Sequence, residues 1–333
     1  MYNPHTLYIV IPCYNEEEVI PETTKRLTEK FNSLVEKKLI STKSRIVLVN
    51  DGSKDSTWQL ITQLHNDMPE IYSGINLSRN RGQQNAILAG LMTVKSLCDV
   101  VITMDVDLQD DINAIDEMMQ KYYDGNEVVY GVRSSRKKDT FIKKYTALAY
   151  YKFMKYMGAD VVNNHAEYRL MSKRVLDELE NFKEVNLFLR GMVKFIGFKH
   201  DIVYYERHER FAGESKYSLR KLFSYAMNSL TSFSVKPLKL ITKIGILMVL
   251  FSIAAFIYAI VSKVLDIATS GWSSMMISIW LIGGLQVICL GIIGEYIGKI
   301  YSEVKGRPRF IVDEFLNEMD PKFLGDTGGK NEK

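Results

Sequence analysis

The sequence has few cysteines and no marked excess of charge of either sign, and both absences exclude classes of protein. Its three cysteines, Cys13, Cys98 and Cys289, are scattered along the chain. That spacing fits neither a disulfide framework nor a metal-ligand cluster, and it favours a reducing compartment. Lysine and arginine total 43, against 39 aspartates and glutamates. The resulting net charge of +4 is far below the basic footprint of a nucleic-acid-binding protein.

Charge is missing altogether from two long stretches near the C-terminus. No charged residue occurs from Ile244 through Ser262, and none from Ile267 through Gly294. Because a helix of about 20 apolar residues spans a bilayer, we predict two membrane helices, at 244–264 and 273–297. The N-terminus has no basic segment and only a short apolar run, Leu7–Ile11, so a signal peptide is not predicted.

The residues that flank the two apolar stretches predict their orientation. Basic residues precede the first stretch and follow the second: Lys236, Lys239, Lys243, Lys299, Lys305, Arg307 and Arg309. The connection between the stretches, Leu265–Ser274, contains one charge, Asp266. The positive-inside rule therefore places both flanks, and both termini, in the cytoplasm. The predicted organisation is a cytoplasmic domain at 1–217, amphipathic juxtamembrane helices at 218–239, a two-helix hairpin at 240–300 and a cytoplasmic tail at 301–333.

The N-terminal part of the chain alternates short β-branched runs with longer stretches of helical period. The strand-like runs are Leu7–Ile11, Ile46–Val49, a third apolar run that ends near Leu77, Val100–Met104 and Glu127–Val132. Further along the chain, Asp201–Glu206 is another candidate strand. The helical stretches are Glu17–Lys37, Trp58–His65, Gln83–Ser96 and Ile112–Tyr123. This alternation predicts an α/β fold with a Rossmann-like, mostly parallel sheet. Ligands of such sheets bind beyond the carboxyl ends of the strands, so we expect the site in the loops that follow them.

The loops in these positions are polar, and one of them carries a pair of acidic residues. Asp105 and Asp107 stand two residues apart just beyond a predicted strand. Such a pair can converge on Mg²⁺, which takes one or two carboxylates together with substrate phosphates. A solvated acidic turn would show the same short pattern. Asp51, in a neighbouring loop, favours a nucleotide site, because an acidic residue beyond a βαβ unit can bind a ribose or a base.

Taken in order, the polar loops resemble the motifs of family-2 glycosyltransferases with the GT-A fold. The segments that carry this resemblance are Pro12–Glu17, Asn50–Ser53, Ser78–Gly82 and Asp105–Asp110. Later segments resemble the polyprenyl-phosphate group of that family, the bactoprenol glucosyltransferases and dolichol-phosphate mannose synthases. These segments are Glu167–Ser172, Leu189–Gly191, Arg210–Tyr217 and Gly306–Arg309. Several motifs in the right order are more specific than any single one.

The resemblance implies a metal-dependent, inverting transfer of one hexose from a UDP-sugar to undecaprenyl phosphate, giving a lipid-linked donor for cell-envelope glycans. Glucose is the favoured sugar, with N-acetylglucosamine and galactose as alternatives. The residues implied for the nucleotide are Pro12, Tyr14, Glu16, Asp51, Arg79 and Asp105. Asp105 and Asp107 are implied for Mg²⁺ or Mn²⁺, Gln109 and Asp110 for the sugar, and Arg190, Arg210, Ser215 and Lys216 for the acceptor phosphate. The implied catalytic residues are Asp107, Asp110 and Glu167.

Two positions depart from the family pattern. The family usually has aspartate where this chain has Glu167, a position suggested as the base, and it often has aspartate where this chain has Asn50. A phosphate monoester is mostly a dianion at pH 7. Its oxygen is therefore already nucleophilic, and strong help from a general base is less necessary. We expect Glu167 to position the reactants or to accept a proton.

The same resemblance implies the expected partners. They are a UDP-sugar, a polyprenyl phosphate lipid and the membrane, and nucleic acid is not expected. The resemblance also allows a homo-oligomer and, downstream, a flippase and a second glycosyltransferase. Leu219–Phe233 is predicted to lie on the membrane surface, with an ordinary surface helix as the alternative. Arg210 and Lys216 could likewise be plain headgroup contacts.

The sequence leaves two other functions open. A processive polysaccharide synthase is one, but such enzymes carry a Gln-x-x-Arg-Trp motif for the growing chain. None of the tryptophans, Trp58, Trp272 and Trp280, follows an arginine. The other is a non-catalytic, membrane-tethered nucleotide-sugar sensor. Formation of a labelled glycolipid from a labelled UDP-sugar would separate the enzyme from the sensor.

Overall fold

The structure is a computed structural model that describes residues 3–134, 165–184, 189–206, 236–264 and 271–317. Its elements fall into two compact units. One unit holds an eight-stranded sheet with its covering helices, and the other holds two long apolar helices. The membrane-surface helix predicted at 219–233 lies outside the described residues.

The elements of the sheet unit begin and end as follows. The strands are β1 (Leu7–Cys13), β2 (Arg45–Asn50), β3 (Tyr72–Leu77), β4 (Val100–Thr103), β5 (Val128–Arg133), β6 (His165–Ser172), β7 (His200–Tyr205) and β8 (Val312–Leu316). The helices are α1 (Ile20–Glu36), α2 (Thr57–Asp67), α3 (Gln83–Val94), α4 (Ala114–Tyr123), α5 (Lys173–Glu180) and α6 (Leu189–Ile196). Helix α1 begins three residues later than predicted because Pro21, which suits a first turn, stands at its start.

The sheet is mostly parallel, as predicted, with the strand order β7-β5-β6-β4-β1-β2-β3-β8. Parallel pairs join β1 to β2 and β4, β2 to β3, and β5 to β7. Strand β6 is antiparallel to β4 and β5, and β8 is antiparallel to β3. Neither β6 nor β8 is predicted from the sequence. Strand β8 lies in the segment expected to be a tail.

Both faces of the central strands are covered, which explains why these strands read as continuous apolar runs. Every residue of β1 is buried. Successive side chains of a strand point to opposite faces. Ile9 therefore belongs to a core cluster that includes Phe31 of α1 and Met118 of α4. Val10 belongs to a second cluster on the opposite face, with Leu88 of α3 and other residues. Because both faces of the sheet are packed, a polar site can form only in the loops at the ends of the strands.

The second unit contains the two helices predicted from the charge-free stretches. Helix α7 covers Lys236–Val264 and α8 covers Trp272–Val304. Within the described residues, one stretch, Leu281–Val304, is long and apolar enough to cross a bilayer, with a mean hydropathy of 1.7. None of that stretch is buried inside the protein. Membrane crossing by α7 stays a prediction.

Candidate active site

The candidate site lies at the edge of the sheet where the parallel strands end. The loops after β1, β2, β3 and β4 leave the sheet here, together with the last residues of β5 and β7. Strand β6 runs the opposite way and begins at this same edge, so Glu167 in β6 lies near the end of β4. The Thr103 hydroxyl, at the end of β4, donates a hydrogen bond to the Glu167 carbonyl oxygen. The topology therefore brings polar residues from distant parts of the chain to one edge.

The loops after β1 and β2 are tied to each other by side chains. The Asn15 N–H donates to Ser53 Oγ at 3.0 Å, and Asn15 Oδ1 accepts the Lys54 N–H at 2.9 Å. Asn15 has φ +53°, a left-handed conformation that asparagine tolerates better than most residues. The Glu16 N–H donates to Thr57 Oγ1 at 2.9 Å. This interlock presents Tyr14, which is 39% exposed, beside the open edge.

Asp51 ties the loop after β2 to the loop after β3. It is 2% exposed. Its Oδ1 accepts the Arg81 N–H at 2.7 Å, and its Oδ2 accepts the Gly82 N–H at 2.8 Å. Burial raises the pKa of Asp51, and the two backbone donors offset part of that rise. Both oxygens therefore help to order the loops, and contact with a uridine stays a prediction.

Glycine is required next to Asp51. Gly52 has φ +63°, and a Cβ atom there would lie 2.5 Å from the Asn80 backbone nitrogen and 2.7 Å from the Arg79 carbonyl carbon. The loops after β2 and β3 can approach this closely only without a side chain at position 52. The close packing of these two loops therefore explains the glycine of the Asn50–Ser53 segment.

An open cleft of about 590 Å³ lies beside these loops. Its lining residues come from the first three loops, α2, the end of β3 and β8: Tyr14, Asn50, Gly52, Ser53, Lys54, Asp55, Trp58, Gln59, Asn76, Leu77, Ser78, Arg79, Asn80 and Asp313. Two of the predicted nucleotide residues, Tyr14 and Arg79, are in this lining. Pro12 is not, because it is a buried residue of β1 that pairs with Val49.

The acidic pair Asp105 and Asp107 lies just beyond β4, and both side chains are half-buried. Gln83 Nε2 donates to Asp105 Oδ1 at 2.6 Å. Asp107 Oδ1 accepts the Gln109 N–H at 3.2 Å, which closes a tight local turn. Within the described residues, no group of three or more metal-ligating side chains is found. Two accessible carboxylates still fit Mg²⁺ or Mn²⁺, because such ions complete their shells with water and substrate phosphate.

Asp110 belongs to a buried polar group at the ends of β5 and β7. It is 2% exposed, and its Oδ1 accepts the Tyr205 hydroxyl at 2.5 Å. Arg133 Nη2 lies 3.6 Å from the same oxygen. The Tyr168 ring meets Tyr205 edge to face, with the ring centroids 5.4 Å apart. Burial, and then the charge of Asp110, raise the pKa of Tyr205, so the hydroxyl stays a hydrogen-bond donor.

Sequence reasoning missed Arg133 and Tyr205. A signal was present, because each is the last residue of a strand that ends at the ligand-binding edge. Burial alone would lower the pKa of Arg133, but Tyr205, Asp110 and Asp105 outweigh it, and the net shift is upwards. Arg133 therefore links Asp110 electrostatically to the acidic pair.

Glu167 is held by a third residue that was not predicted, Arg169. The two stand two residues apart on β6 and so share one face of the sheet. They form an ion pair in which Glu167 is 3% and Arg169 1% exposed. Arg169 Nη1 also donates to the Leu189 carbonyl oxygen at 3.3 Å. The guanidinium thus connects Glu167 to the start of α6.

Most of the predicted acceptor residues lie outside the described residues. The backbone of Arg190 lies in α6, directly after Leu189, and the structure does not describe its side chain. Arg210, Ser215 and Lys216 also lie outside the described residues. Their contact with an acceptor phosphate stays a prediction. The described residues therefore bring together the acidic pair, the buried Asp110 group and the open cleft at the carboxyl ends of the strands.

A mostly parallel α/β sheet with interlocked loops, an acidic pair and an open cleft at the carboxyl ends of its strands is the arrangement of α/β proteins that bind small ligands there. Within that class, residues 8–180 match the model of the family Glycosyl transferase family 2. Residues 236–300 match the model of the GtrB C-terminal hairpin. The chain belongs to glycosyl transferase family 2, and its sheet has the GT-A architecture.

Relatives match the chain over most of its length. "Uncharacterized glycosyltransferase YkoT" of Bacillus subtilis (strain 168) is 51% identical over 94% of this chain and 93% of its own. "Prophage bactoprenol glucosyl transferase homolog" of Escherichia coli (strain K12) is 38% identical over 91% of this chain and 97% of its own. "Bactoprenol glucosyl transferase" of Shigella phage SfII is 37% identical over 91% and 96%. The chain is therefore a glycosyltransferase, and its hairpin and apolar helix α8 indicate membrane association.

Proposed function

We propose that this enzyme transfers one hexose, glucose in preference to N-acetylglucosamine or galactose, from a UDP-sugar to undecaprenyl phosphate, with inversion at the anomeric carbon. The observation that carries the proposal is the match to proteins named bactoprenol glucosyl transferase over 91% of this chain. The hairpin match at 236–300 supports it, because a membrane-bound acceptor requires an enzyme at the membrane surface.

The residues at the sheet edge suit this reaction. A phosphate oxygen of the acceptor attacks the anomeric carbon, and the bond from that carbon to the UDP oxygen breaks on the opposite side. Asp105 and Asp107 would hold Mg²⁺ or Mn²⁺, which neutralises charge on a leaving diphosphate. Asp110, fixed by Tyr205, is a buried acceptor for a sugar hydroxyl.

Glu167 is better suited to positioning than to proton transfer. Its carboxylate is ion-paired with the buried Arg169, whose Nη1 also donates to the Leu189 carbonyl oxygen, so the carboxylate is fixed in place. The acceptor phosphate is mostly dianionic at pH 7 and carries no proton that must be removed. We therefore assign Glu167 the role of fixing the edge of the sheet next to β4 and α6.

The test uses membranes or detergent-solubilised enzyme with undecaprenyl phosphate and labelled UDP-glucose, UDP-N-acetylglucosamine or UDP-galactose, with and without Mg²⁺. We expect label in the organic extract with one donor and only in the presence of metal. Asp107→Asn should abolish turnover while the protein still folds. Asp67→Asn, which changes an exposed carboxylate at the end of α2, should keep full activity.

Two results would count against the proposal. Full activity of Asp107→Asn in excess EDTA would refute the role of the metal. Donor binding without any extractable glycolipid would favour the sensor instead of the enzyme.

We also propose that both helices of the hairpin cross the membrane and that both termini face the cytoplasm. The basic flanks Lys236, Lys239, Lys299 and Lys305 support this orientation. Single cysteines introduced at Thr269 and Lys333, in a background without native cysteines, provide the test in intact cells. An impermeant thiol reagent should label position 269 and leave position 333 unlabelled; the reverse pattern would overturn the orientation.

A further inference from the structure

The edge strand β8 borders the open cleft, although it comes from the last part of the chain. It pairs antiparallel with β3. Phe310, Val312 and Phe315 pack against the second core cluster. The Ser78 N–H, in the loop after β3, donates to the Ile311 carbonyl oxygen at 3.1 Å. The segment is therefore an integral part of the sheet unit.

A bulge in the β3–β8 pair gives Asp313 a special position. Leu77 pairs with Val312 and Asn76 pairs with Glu314, so the register passes over Asp313. A bulge of this kind redirects a side chain, and bulges are common next to active sites. The Asp313 side chain is exposed and lines the cleft. Its Oδ2 accepts a long hydrogen bond from Asn76 Nδ2, at 3.4 Å.

A chain of hydrogen bonds connects Asp313 to the loops after β2 and β1. Asn50 Nδ2 donates to Asn76 Oδ1 at 2.8 Å, and Asn50 Oδ1 accepts the Ser53 N–H at 3.1 Å. Ser53 Oγ in turn accepts the Asn15 N–H at 3.0 Å. Asn50 thus donates and accepts at once, which a carboxylate cannot do. The amide at position 50 suits a cleft whose lining already includes the carboxylate of Asp313.

The size, the aromatic surface and the charge of the cleft suit a nucleoside. Its volume of about 590 Å³ lies within the range of small-molecule sites. Trp58 supplies an aromatic surface, and Lys54 and Arg79 supply positive charge beside it. A carboxylate accepts hydrogen bonds and repels phosphate. The ligand group that faces Asp313 must therefore carry O–H or N–H donors.

We propose that this cleft binds the nucleoside part of the donor and that Asp313, from the C-terminal strand, accepts a hydrogen bond from its ribose or base. The inference rests on the proposed function, because it takes a nucleotide as the ligand. It adds a binding residue that follows the membrane hairpin in the chain. Nucleotide recognition in this enzyme thus uses residues that precede the hairpin in the chain and one residue that follows it.

The experiment measures UDP binding by isothermal titration calorimetry on the full-length enzyme in detergent with Mg²⁺. Asp313→Asn removes the charge and keeps the shape. The amide oxygen of asparagine still accepts, but a hydrogen bond to a neutral acceptor is weaker than one to a charged acceptor, so UDP binding should weaken about tenfold. Glu314→Gln is the matched control, because it removes the same charge from the adjacent exposed residue, which does not line the cleft. It should bind UDP as the wild type does.

Inorganic pyrophosphate, measured as a competitor of UDP, separates the nucleoside from the phosphates. Its inhibition constant should be the same in the wild type and in Asp313→Asn. Comparing UDP with 2′-deoxy-UDP identifies the donor group. If the ribose hydroxyl is the donor, Asp313→Asn should weaken UDP binding much more than 2′-deoxy-UDP binding; if the base is, both nucleotides should lose affinity equally.

Unchanged UDP affinity in Asp313→Asn would overturn the inference, and so would an equal loss in Glu314→Gln. These outcomes differ from a failure of the proposed function. A wild-type enzyme that binds no UDP and forms no glycolipid contradicts the proposed function itself. A wild-type enzyme that does both, beside an Asp313→Asn variant of equal affinity, contradicts only the role of Asp313.

Discussion

The buried hydrogen bond between Tyr205 and Asp110 can be tested with a change of one oxygen atom. Tyr205→Phe keeps the ring that packs edge to face on Tyr168 and removes the hydroxyl that donates to Asp110 Oδ1 at 2.5 Å. Arg133 stays 3.6 Å from that oxygen. A hydrogen bond to a charged group contributes about 1.5–3 kcal/mol, and Asp110 is too buried for water to replace it freely.

The expected effect on stability follows from this magnitude. In a domain of this size, 1 kcal/mol lowers the melting temperature by about 2–4 °C, so Tyr205→Phe should melt about 3–12 °C below the wild type. The hexose transfer rate should also fall, because the carboxylate expected beside the sugar loses its fixed orientation. Thermal melts followed by intrinsic fluorescence and the glycolipid assay measure the two effects.

Tyr204→Phe is the control, since Tyr204 is the preceding residue of β7 and is 66% exposed. A surface substitution of this kind changes the unfolding free energy by about 0.5 kcal/mol or less. Equal melting temperatures for Tyr205→Phe and the wild type, together with full activity, would refute the reasoning. Equal losses in both tyrosine variants would do the same.

Two further predictions concern the loops and the core. Gly52→Ala should lower the melting temperature and weaken UDP binding, because φ +63° and the contact with the Asn80 backbone both oppose a Cβ. Gly125→Ala, where φ is +84° and a Cβ meets only Lys199 Nζ at 3.8 Å, should have a milder effect on stability and none on UDP binding, and equal effects would contradict the role of the contact. Burial raises the pKa of Tyr72 to about 12, so its folded-state pKa exceeds the ordinary value near 10. The stability it contributes is complete below about pH 10 and is lost as the pH rises towards 12. Melting temperatures from pH 8 to 11.5 should fall less steeply in Tyr72→Phe than in the wild type, and identical slopes would contradict this.

Much of the fold could be predicted from the sequence because the central strands are buried on both faces. Their apolar runs are continuous, and the helices between them have a clear period. Strand β6 escaped detection because its buried positions include Glu167 and Arg169. From sequence alone, charged residues in a strand are predicted to be exposed, because the partner that neutralises them is not known. Strand β8 escaped because it is short and only half-buried.

The candidate site divides in the same way. Asp105 and Asp107 are two residues apart, so their proximity is a local property that the sequence contains. Tyr205 meets Asp110 across 95 positions of the chain. No local pattern encodes such a contact, because it depends on which strands become neighbours in the sheet.

The sequence by itself determined the α/β class, the polar loops that follow the parallel strands and the two long helices that contain the charge-free stretches. These depend on periodicity and on residues close together in the chain. Only the tertiary structure decided that Asp51 orders the third loop, that Arg169 neutralises Glu167 and that Asp313 borders the cleft. Each of these depends on a contact between segments far apart in sequence, and such contacts form only when the sheet brings them together.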